Sequence, residues 1–361
     1  MTQLATEAGL RLRPHTKIHE CPDIAKLQMK LGACGIEVGT VERAECMAEE
    51  GIVDILIAHP FYGNHKLENL CKLLRKPAVR ITVLVDMIDQ ACCISQVGET
   101  VGKNIPVLIK INTGGNRFGV LPGTTALDLA RQLCQLPGID FKGIYAHESG
   151  GKPTQDNLDN LAFETASVMA ETARLLRKEG IPVDHLSVGA STTFRATCRL
   201  RKENKFPEIT EIHPGHCVIG DIWHVFALAN RRETCAATVL TTVVSTANPG
   251  YVVIDAGYKV FGCDSLIQYR NRPGFFWKMM PSFGSVQGFP DLWLGRLAAE
   301  TSCVYYTDSN MDTNRKLKIG DRLEIVPNNA TLVINMQERI YGVRNGLLER
   351  VMPVAGRGKS A

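Results

Sequence analysis

Apolar positions recur with two different periods along the first 225 residues of the chain. Short aliphatic, β-branched runs at 35–40, 54–58, 80–86, 106–112, 141–147, 185–189 and 211–213 read as strands. Between them, 22–32, 41–50, 65–74, 87–97, 124–136, 155–179 and 192–202 carry helical spacing. Close to the amino terminus, Leu12-Arg13-Pro14-His15-Thr16-Lys17-Ile18-His19 reads as one more strand, in which Arg13, His15, Lys17 and His19 alternate and so share a face. Eight strands, seven of them followed by a helix, predict parallel βαβ units closed into a (β/α)8 barrel. A doubly wound open sheet is the alternative, but no glycine-rich fingerprint follows the first strand.

Beyond residue 225 the pattern changes. Residues 238–246, 251–254, 323–326 and 331–334 read as strands separated by Pro, Gly and Asn turns, with little helical periodicity. The expectation is two domains, a barrel over 1–225 and a mainly β domain over 226–361. The small, basic end at 355–361 is predicted to fray.

Composition narrows the partners more than the fold. Of 361 residues, 45% are hydrophobic and 22% charged, the balance of a globular enzyme. The net charge of +4 comes from dispersed basic residues, which argues against nucleic acid and suits a small anionic ligand. Twelve cysteines lie scattered without a CxxC pair and read as reduced, mostly buried thiols of a cytoplasmic protein. The first ten residues lack an apolar signal core and no 18-residue apolar run occurs, so no membrane partner is expected.

In a (β/α)8 barrel the chemistry gathers where the strands end. The ends here carry His15, Lys17 and His19, then His59, Asn112 to Arg117, Tyr145 with His147 and Glu148, Gly189-Ala190-Ser191-Thr192-Thr193, and His213-Pro214-Gly215. A single histidine is more often a satisfied core residue than a catalyst, but polar residues at six of eight ends point to a site. The Gly189 to Thr193 turn at a helix start suits a phosphate, although a helix cap alone explains Ser191 or Thr192. Arg117 after Gly114-Gly115 is a fixed cation for a phenolate or carboxylate oxygen, or else a brace for its loop. A lysine crowded by cations is pushed toward its neutral, nucleophilic form.

Collinear motifs then carry a resemblance: Arg13-Pro14-His15-Thr16-Lys17, Asn112-Thr113-Gly114-Gly115-Asn116-Arg117-Phe118-Gly119-Val120, Tyr145-Ala146-His147, Glu211-Ile212-His213-Pro214-Gly215, Asp255-Ala256-Gly257-Tyr258-Lys259 and Val326-Pro327-Asn328. The chain resembles the fold-type III pyridoxal-phosphate enzymes with an alanine racemase-like barrel, within them the D-threonine aldolase and D-serine dehydratase branch. The resemblance implies that Lys17 holds pyridoxal 5'-phosphate as a Schiff base, with Lys17, His15 and His147 as the catalytic residues. Arg117 is then the partner of the cofactor's phenolic oxygen, and Gly189, Ala190, Ser191 and Thr192 hold its phosphate. Tyr145 and His147 line the pocket. His213, next to Pro214-Gly215, occupies the place where racemases carry an arginine facing the pyridine nitrogen, and so tunes how strongly the ring accepts electrons; Gly215 completes the cofactor set.

Two departures from the branch stand out. Its metal-binding pair after Pro-Asn is replaced by Asn329 and Thr331, its Glu-His-Gly by Glu300-Thr301-Ser302, and no histidine follows His224. Asn and Thr are poor ligands for zinc or manganese. The expectation is a lyase without a divalent metal, with Asn329 and Thr331 as hydrogen-bonding groups for substrate. The family's opening strand, ahead of the lysine strand, is expected to be shortened, missing or differently supplied, since about ten residues precede it. The functional reading is a pyridoxal-phosphate lyase acting on a small D- or β-hydroxy amino acid by aldol cleavage or dehydration. The alternatives are a racemase or epimerase using Tyr258 or Tyr341 as second base, residues otherwise expected to be packing groups, and a non-catalytic pyridoxal-phosphate protein. Family analogy suggests a homodimer.

Overall fold

The structure, a computed structural model, describes residues 1–148, 154–264, 282–306 and 317–360. These divide into two units, one ending at Gly215 and regaining the chain from Tyr341 onward, the other running from His216 to Ile340.

The first unit opens with a short helix, α1 (Thr2–Glu7), where the resemblance implies a strand. Strands and helices then alternate: β1 (Arg11–Leu12), α2 (Pro22–Lys30), β2 (Ile36–Val38), α3 (Val41–Glu49), β3 (Asp54–Ile57), α4 (Asn64–Leu74), β4 (Arg80–Val85) and α5 (Ile88–Val101). They continue with β5 (Ile105–Ile111), α6 (Thr124–Leu133), β6 (Ile139–Ala146), α7 (Gln155–Lys178), β7 (His185–Val188), α8 (Phe194–Lys202) and β8 (Glu211–Ile212). All eight strands are parallel, in the order β1-β8-β7-β6-β5-β4-β3-β2. The two ends of that order meet: Cys34 N–H donates to Leu12 C=O (2.9 Å), Glu37 N–H donates to Pro14 C=O (3.0 Å), and His15 bridges Glu37 in parallel register. The (β/α)8 expectation holds. The strands are near-continuous apolar runs because a parallel sheet covered by helices is buried on both faces; Ile55, Leu56, Ile57, Val83, Leu84, Leu108 and Ile109 are inaccessible to solvent.

One strand departs from expectation in a way that matters. β1 stops at Leu12, and Thr16–Ile18 form a 3-10 turn. Pro14 holds its neighbours extended but cannot extend a ladder, and the His15 ring then caps the turn by accepting from Lys17 N–H (3.2 Å). Strand alternation therefore does not order Arg13, His15, Lys17 and His19. His19 turns away to Gln28 and Cys21 N–H, under α2.

The second unit contains α9 (Ile222–Phe226), β9 (Val239–Ser245), β10 (Tyr251–Ile254), α10 (Tyr258–Phe261), β11 (Gly284–Val286), β12 (Leu292–Leu297), β13 (Ser302–Tyr306), β14 (Arg322–Pro327) and α11 (Ala330–Asn335). Its strands close a six-stranded antiparallel barrel in the order β10-β13-β12-β11-β14-β9 around Val243, Ile254, Val286, Leu294, Val304 and Ile325. Residues 331–334, expected as a strand, belong to α11. Asn329 caps that helix by accepting from Thr331 N–H, which outweighs the β-branched composition. Tyr258 and Tyr341, expected to pack, are exposed.

The chain ends in a two-stranded sheet, β15 (Arg339–Arg344) with β16 (Leu347–Pro353). The tail beyond it does not fray as expected. Gly356 N–H donates to Glu20 C=O, Thr40 Oγ1 donates to Lys359 C=O (2.7 Å), and Arg43 donates to Ser360 Oγ (2.9 Å). None of the twelve cysteines, all among the described residues, forms a disulfide; four are buried, six half-buried and two exposed. Among the described residues no helix is long and apolar enough to cross a membrane.

Candidate active site

Lys17 lies on the 3-10 turn that follows β1. The turn is tied to β2 because Thr16 Oγ1 donates to Glu37 C=O (3.0 Å). The lysine points into a cleft of about 220 Å³ that it shares with Lys110, Asn112, Arg117, Phe118 and His147. Its amine takes no hydrogen bond or ion pair among the described residues. Burial holds it below the ordinary lysine range; Glu37 opposes that shift, and Arg117 and Arg43 reinforce it. A shift in this direction favours the neutral form that a nucleophile needs.

Arg117 stands on the loop after β5. Asn112 organises that loop, its Oδ1 accepting from Gly114 N–H (3.0 Å) and Asn116 N–H (3.1 Å). Gly119 closes it with φ +106°, where a Cβ would meet the Asn112 nitrogen at 2.5 Å. The guanidinium lies 5.3 Å from the Phe118 ring centroid and has no carboxylate partner among the described residues.

Two charged residues inside apolar strands were not anticipated. Lys110, on β5, donates to Ala58 C=O (2.6 Å) and lies 5.3 Å from the ring centroids of both Phe118 and Tyr145. Burial lowers it to about 8, Glu37 opposing and Arg117 adding to the shift. Glu37, on β2, is fully enclosed. Its Oε1 accepts from Tyr145 O–H (2.9 Å) and lies 3.6 Å from His15 Nε2, while Oε2 has no partner among the described residues. Burial raises this carboxyl to about 8 against the pull of Tyr145, Lys110 and Lys17.

The histidines form a neutral cluster. Burial, then Lys17, Lys110 and Arg117, push His147 down to about 3. Burial, then Lys110 and Arg117, push His59 to about 4. His15 and His213 are lowered by burial first, then by Lys17 for the former and His147 for the latter. The His213 ring stacks on Tyr145 (centroids 4.2 Å, 13°) and lies 5.9 Å from that of His147. Its Nδ1 is 2.8 Å from Ser187 Oγ, and its Nε2 is buried without a partner among the described residues.

Gly189, Ala190, Ser191 and Thr192 form the turn between β7 and α8. Gly189 has φ +140°, and a Cβ there would come within 3.3 Å of the His213 nitrogen. Ser191 Oγ accepts from Gly215 N–H (3.2 Å). Gly215 is held close as well, since a Cβ would sit 2.6 Å from the His15 carbonyl oxygen. The first unit thus brings together Lys17, His15, Arg117, Tyr145, His147 and His213, with both glycine turns beside His213 and His15. Asn329 and Thr331 belong to the second unit. There Asn329 Nδ2 donates to Asp264 Oδ2 (2.7 Å), and Thr331 Oγ1 is 3.1 Å from His216 Nε2. Among the described residues no three His, Cys, Asp or Glu side chains come together as metal ligands do.

A parallel barrel with a lysine on the turn after one strand, its proton affinity lowered by burial, is a frame for chemistry on a carbonyl group. The chain belongs to the family described as alanine racemase, N-terminal domain, matched over residues 1–222, and also matches the putative serine dehydratase domain over 236–343. That family is pyridoxal-phosphate dependent and of fold-type III. The chain is 27% identical to a 3-hydroxy-D-aspartate aldolase of Paracoccus denitrificans (strain Pd 1222), over 99% of this chain and 88% of that protein. It is 29% identical to a D-threo-3-hydroxyaspartate dehydratase of Delftia sp. (strain HT23), over 91% and 86%. The crystal structure of D-threonine aldolase from Filomicrobium marinum superposes with a TM-score of 0.84 at 28% identity, covering 99% of this chain and 91% of that one.

Proposed function

We propose that this chain is a pyridoxal-phosphate-dependent lyase acting on a small β-hydroxy D-amino acid by aldol cleavage or dehydration. The observation that carries the reading is the half-buried Lys17, whose amine has no partner among the described residues, in a cleft it shares with Lys110 and Arg117. The relatives' aldolase and dehydratase activities support the lyase class.

The residues fit the cofactor. A small cationic cleft suits an anionic aromatic aldehyde, and the orphaned His213 Nε2 awaits a polar partner. The cramped Gly189 turn lets backbone come close to a bound group. In this reading Lys17 would hold the cofactor's aldehyde group, Arg117 would donate to the phenolic oxygen, the Gly189–Thr192 turn would hold the phosphate, and His213 would face the ring nitrogen. Tyr145 and His147 line the ring's surroundings, and His15 fixes the turn that carries Lys17. The cofactor, when bound, supplies an electron sink for the substrate's Cα substituents. The Lys17 amine would be the group to take and return the proton, since burial favours its neutral form. The metal fits less well. Asn329 and Thr331 lack anionic donors and are engaged with Asp264 and His216, so no step is routed through a metal.

The test is reconstitution with pyridoxal phosphate, followed by a screen of D- and L-β-hydroxy amino acids. The wild type is expected to gain the cofactor's visible band and Lys17→Ala to lack it. Products are expected to be glycine plus an aldehyde, or a keto acid plus ammonia, with activity surviving EDTA. A colourless protein sinks the reading. Cα deuterium exchange without product transfers it to a racemase, and EDTA inhibition reversed by zinc or manganese overturns the metal-free part.

A further inference from the structure

Behind His213 lies a buried polar chain to which the proposed chemistry gives no task. Ser187 Oγ is 2.8 Å from His213 Nδ1 and 3.4 Å from Glu211 Oε1, and Ser187 is completely buried. Glu211 accepts from Arg13 Nε at 3.1 and 3.2 Å, and His185 Nε2 lies 2.9 Å from it. Burial would raise this carboxyl, but Arg13 and His185 hold it at about 2, so it is an anion that only accepts. The Ser187 proton must then point at Glu211, because two facing lone pairs would repel. The hydroxyl's remaining capacity is to accept, and its neighbour on that side is His213 Nδ1. His213 is neutral in its buried site, so it carries one N–H, and a hydroxyl that accepts beside Nδ1 favours that proton on Nδ1.

We propose that Glu211 and Ser187 fix His213 as the Nδ1–H tautomer, so that its orphaned Nε2 presents a lone pair and takes a protonated ring nitrogen from the cofactor. This rests on the reading that His213 faces that nitrogen. An arginine at this place can only donate, which favours an unprotonated ring; an accepting imidazole favours a pyridinium, the stronger electron sink. Ser187 is a positioning residue, acting through His213. Tyr145, stacked on the same imidazole and tied to Glu37, restrains the ring's tilt. The groups facing His213 are Tyr145, His147 and Ser187, with Lys17 and Lys110 adding positive charge that keeps the imidazole from protonating.

The test has two arms. In cofactor-free protein labelled with ¹⁵N-histidine, His213 is assigned by its loss in His213→Gln. Its Nε2 is expected at the shift of an unprotonated ring nitrogen, and an Nε2–H signal overturns the proposal whether or not the cofactor binds. In protein loaded with ring-¹⁵N pyridoxal phosphate, the pyridine nitrogen is expected at the protonated shift. Ser187→Ala is expected to move both nitrogens toward a tautomer mixture, and Ser187→Thr, which keeps the hydroxyl, to restore them. An unprotonated cofactor nitrogen in the wild type overturns the proposal. Failure to load any cofactor instead indicts the functional reading, leaving the first arm to decide the tautomer. If Ser187→Ala does not fold, the two wild-type shifts still decide.

Discussion

Glu37 is the most exposed point of the site's electrostatics to a simple experiment. Its ordinary value is 4.5 and burial raises it to about 8. Between those limits an unfolded chain has lost the proton that the folded chain keeps. Folding then takes up a proton, and stability from this group falls as pH rises through the window. Glu37→Gln removes the titration, so the variant's melting temperature is expected to decline less than the wild type's between pH 5 and 8. Parallel declines would mean that Glu37 is ionised in the folded protein. Lys17 and Arg117 were legible in the chain because each sits in a strand-end pattern. Glu37 and Lys110 were not, because each interrupts an apolar run and was absorbed into it. The interruption was itself the signal, since charged residues are almost never fully buried without a role or a partner. Ser187 gave no sign at all, a serine in a strand being compatible with any neighbour.

Among the elements, β6 bears the sharpest constraint. Its pairing with β5 slips between Val107 and Leu108, so that Phe141 and Gly143, two residues apart, face consecutive partners. Gly143 takes φ +144° there, and a Cβ would fall 2.0 Å from the His185 carbonyl oxygen, which is backbone and cannot swing aside. The slip sets the phase in which Tyr145 meets Glu37 and His213. Gly143→Ala is expected to cost roughly 1–3 kcal/mol from the backbone conformation alone and more from the clash, read as a lowered denaturant midpoint or as insoluble protein. Seven of the barrel's helices and seven of its eight strands were legible because apolar period and glycine punctuation agree there; the first strand was expected over 12–19 and ends at Leu12. The turn at Lys17 was hidden because a histidine ring caps it, outside the usual Ser, Thr, Asp and Asn set. Likewise Thr331 to Ile334 has strand composition, and the acceptors at its start, Asn329 for Thr331 N–H and Asp221 for Ala330 N–H, favour the helix.

Taken whole, the barrel is sealed by charge as well as by hydrogen bonds. Arg13, just past β1, reaches Glu211 on β8 (3.1 Å) and Asp54 on β3 (2.6 Å), crossing the seam where the ends of the sheet meet. Arg13 is 5% exposed and Glu211 fully buried, so the pair is desolvated and losing one partner strands the other. Arg13→Met is expected to destabilise the fold by about 3–5 kcal/mol. Glu211 is depressed to about 2 from 4.5, so its contribution is complete above pH 4.5 and disappears as pH falls through 2. With Arg13 removed its value rises, and acid unfolding is expected to begin at a higher pH; an unchanged acid midpoint would assign the seam to Glu211's other partners.

The cations beside Lys17 also shape how a ligand arrives. Lys110 and Arg117 share one small opening with it on a chain whose net charge is only +4. Field lines from such a cluster reach outward over roughly one screening length, about 8 Å at physiological ionic strength, and funnel anions toward it. Capture of a phosphorylated ligand is therefore a steered encounter. In stopped-flow mixing with pyridoxal phosphate, added sodium chloride is expected to slow association steeply while leaving the later covalent step nearly unchanged. The neutral analogue pyridoxal is expected to bind at a rate almost indifferent to salt.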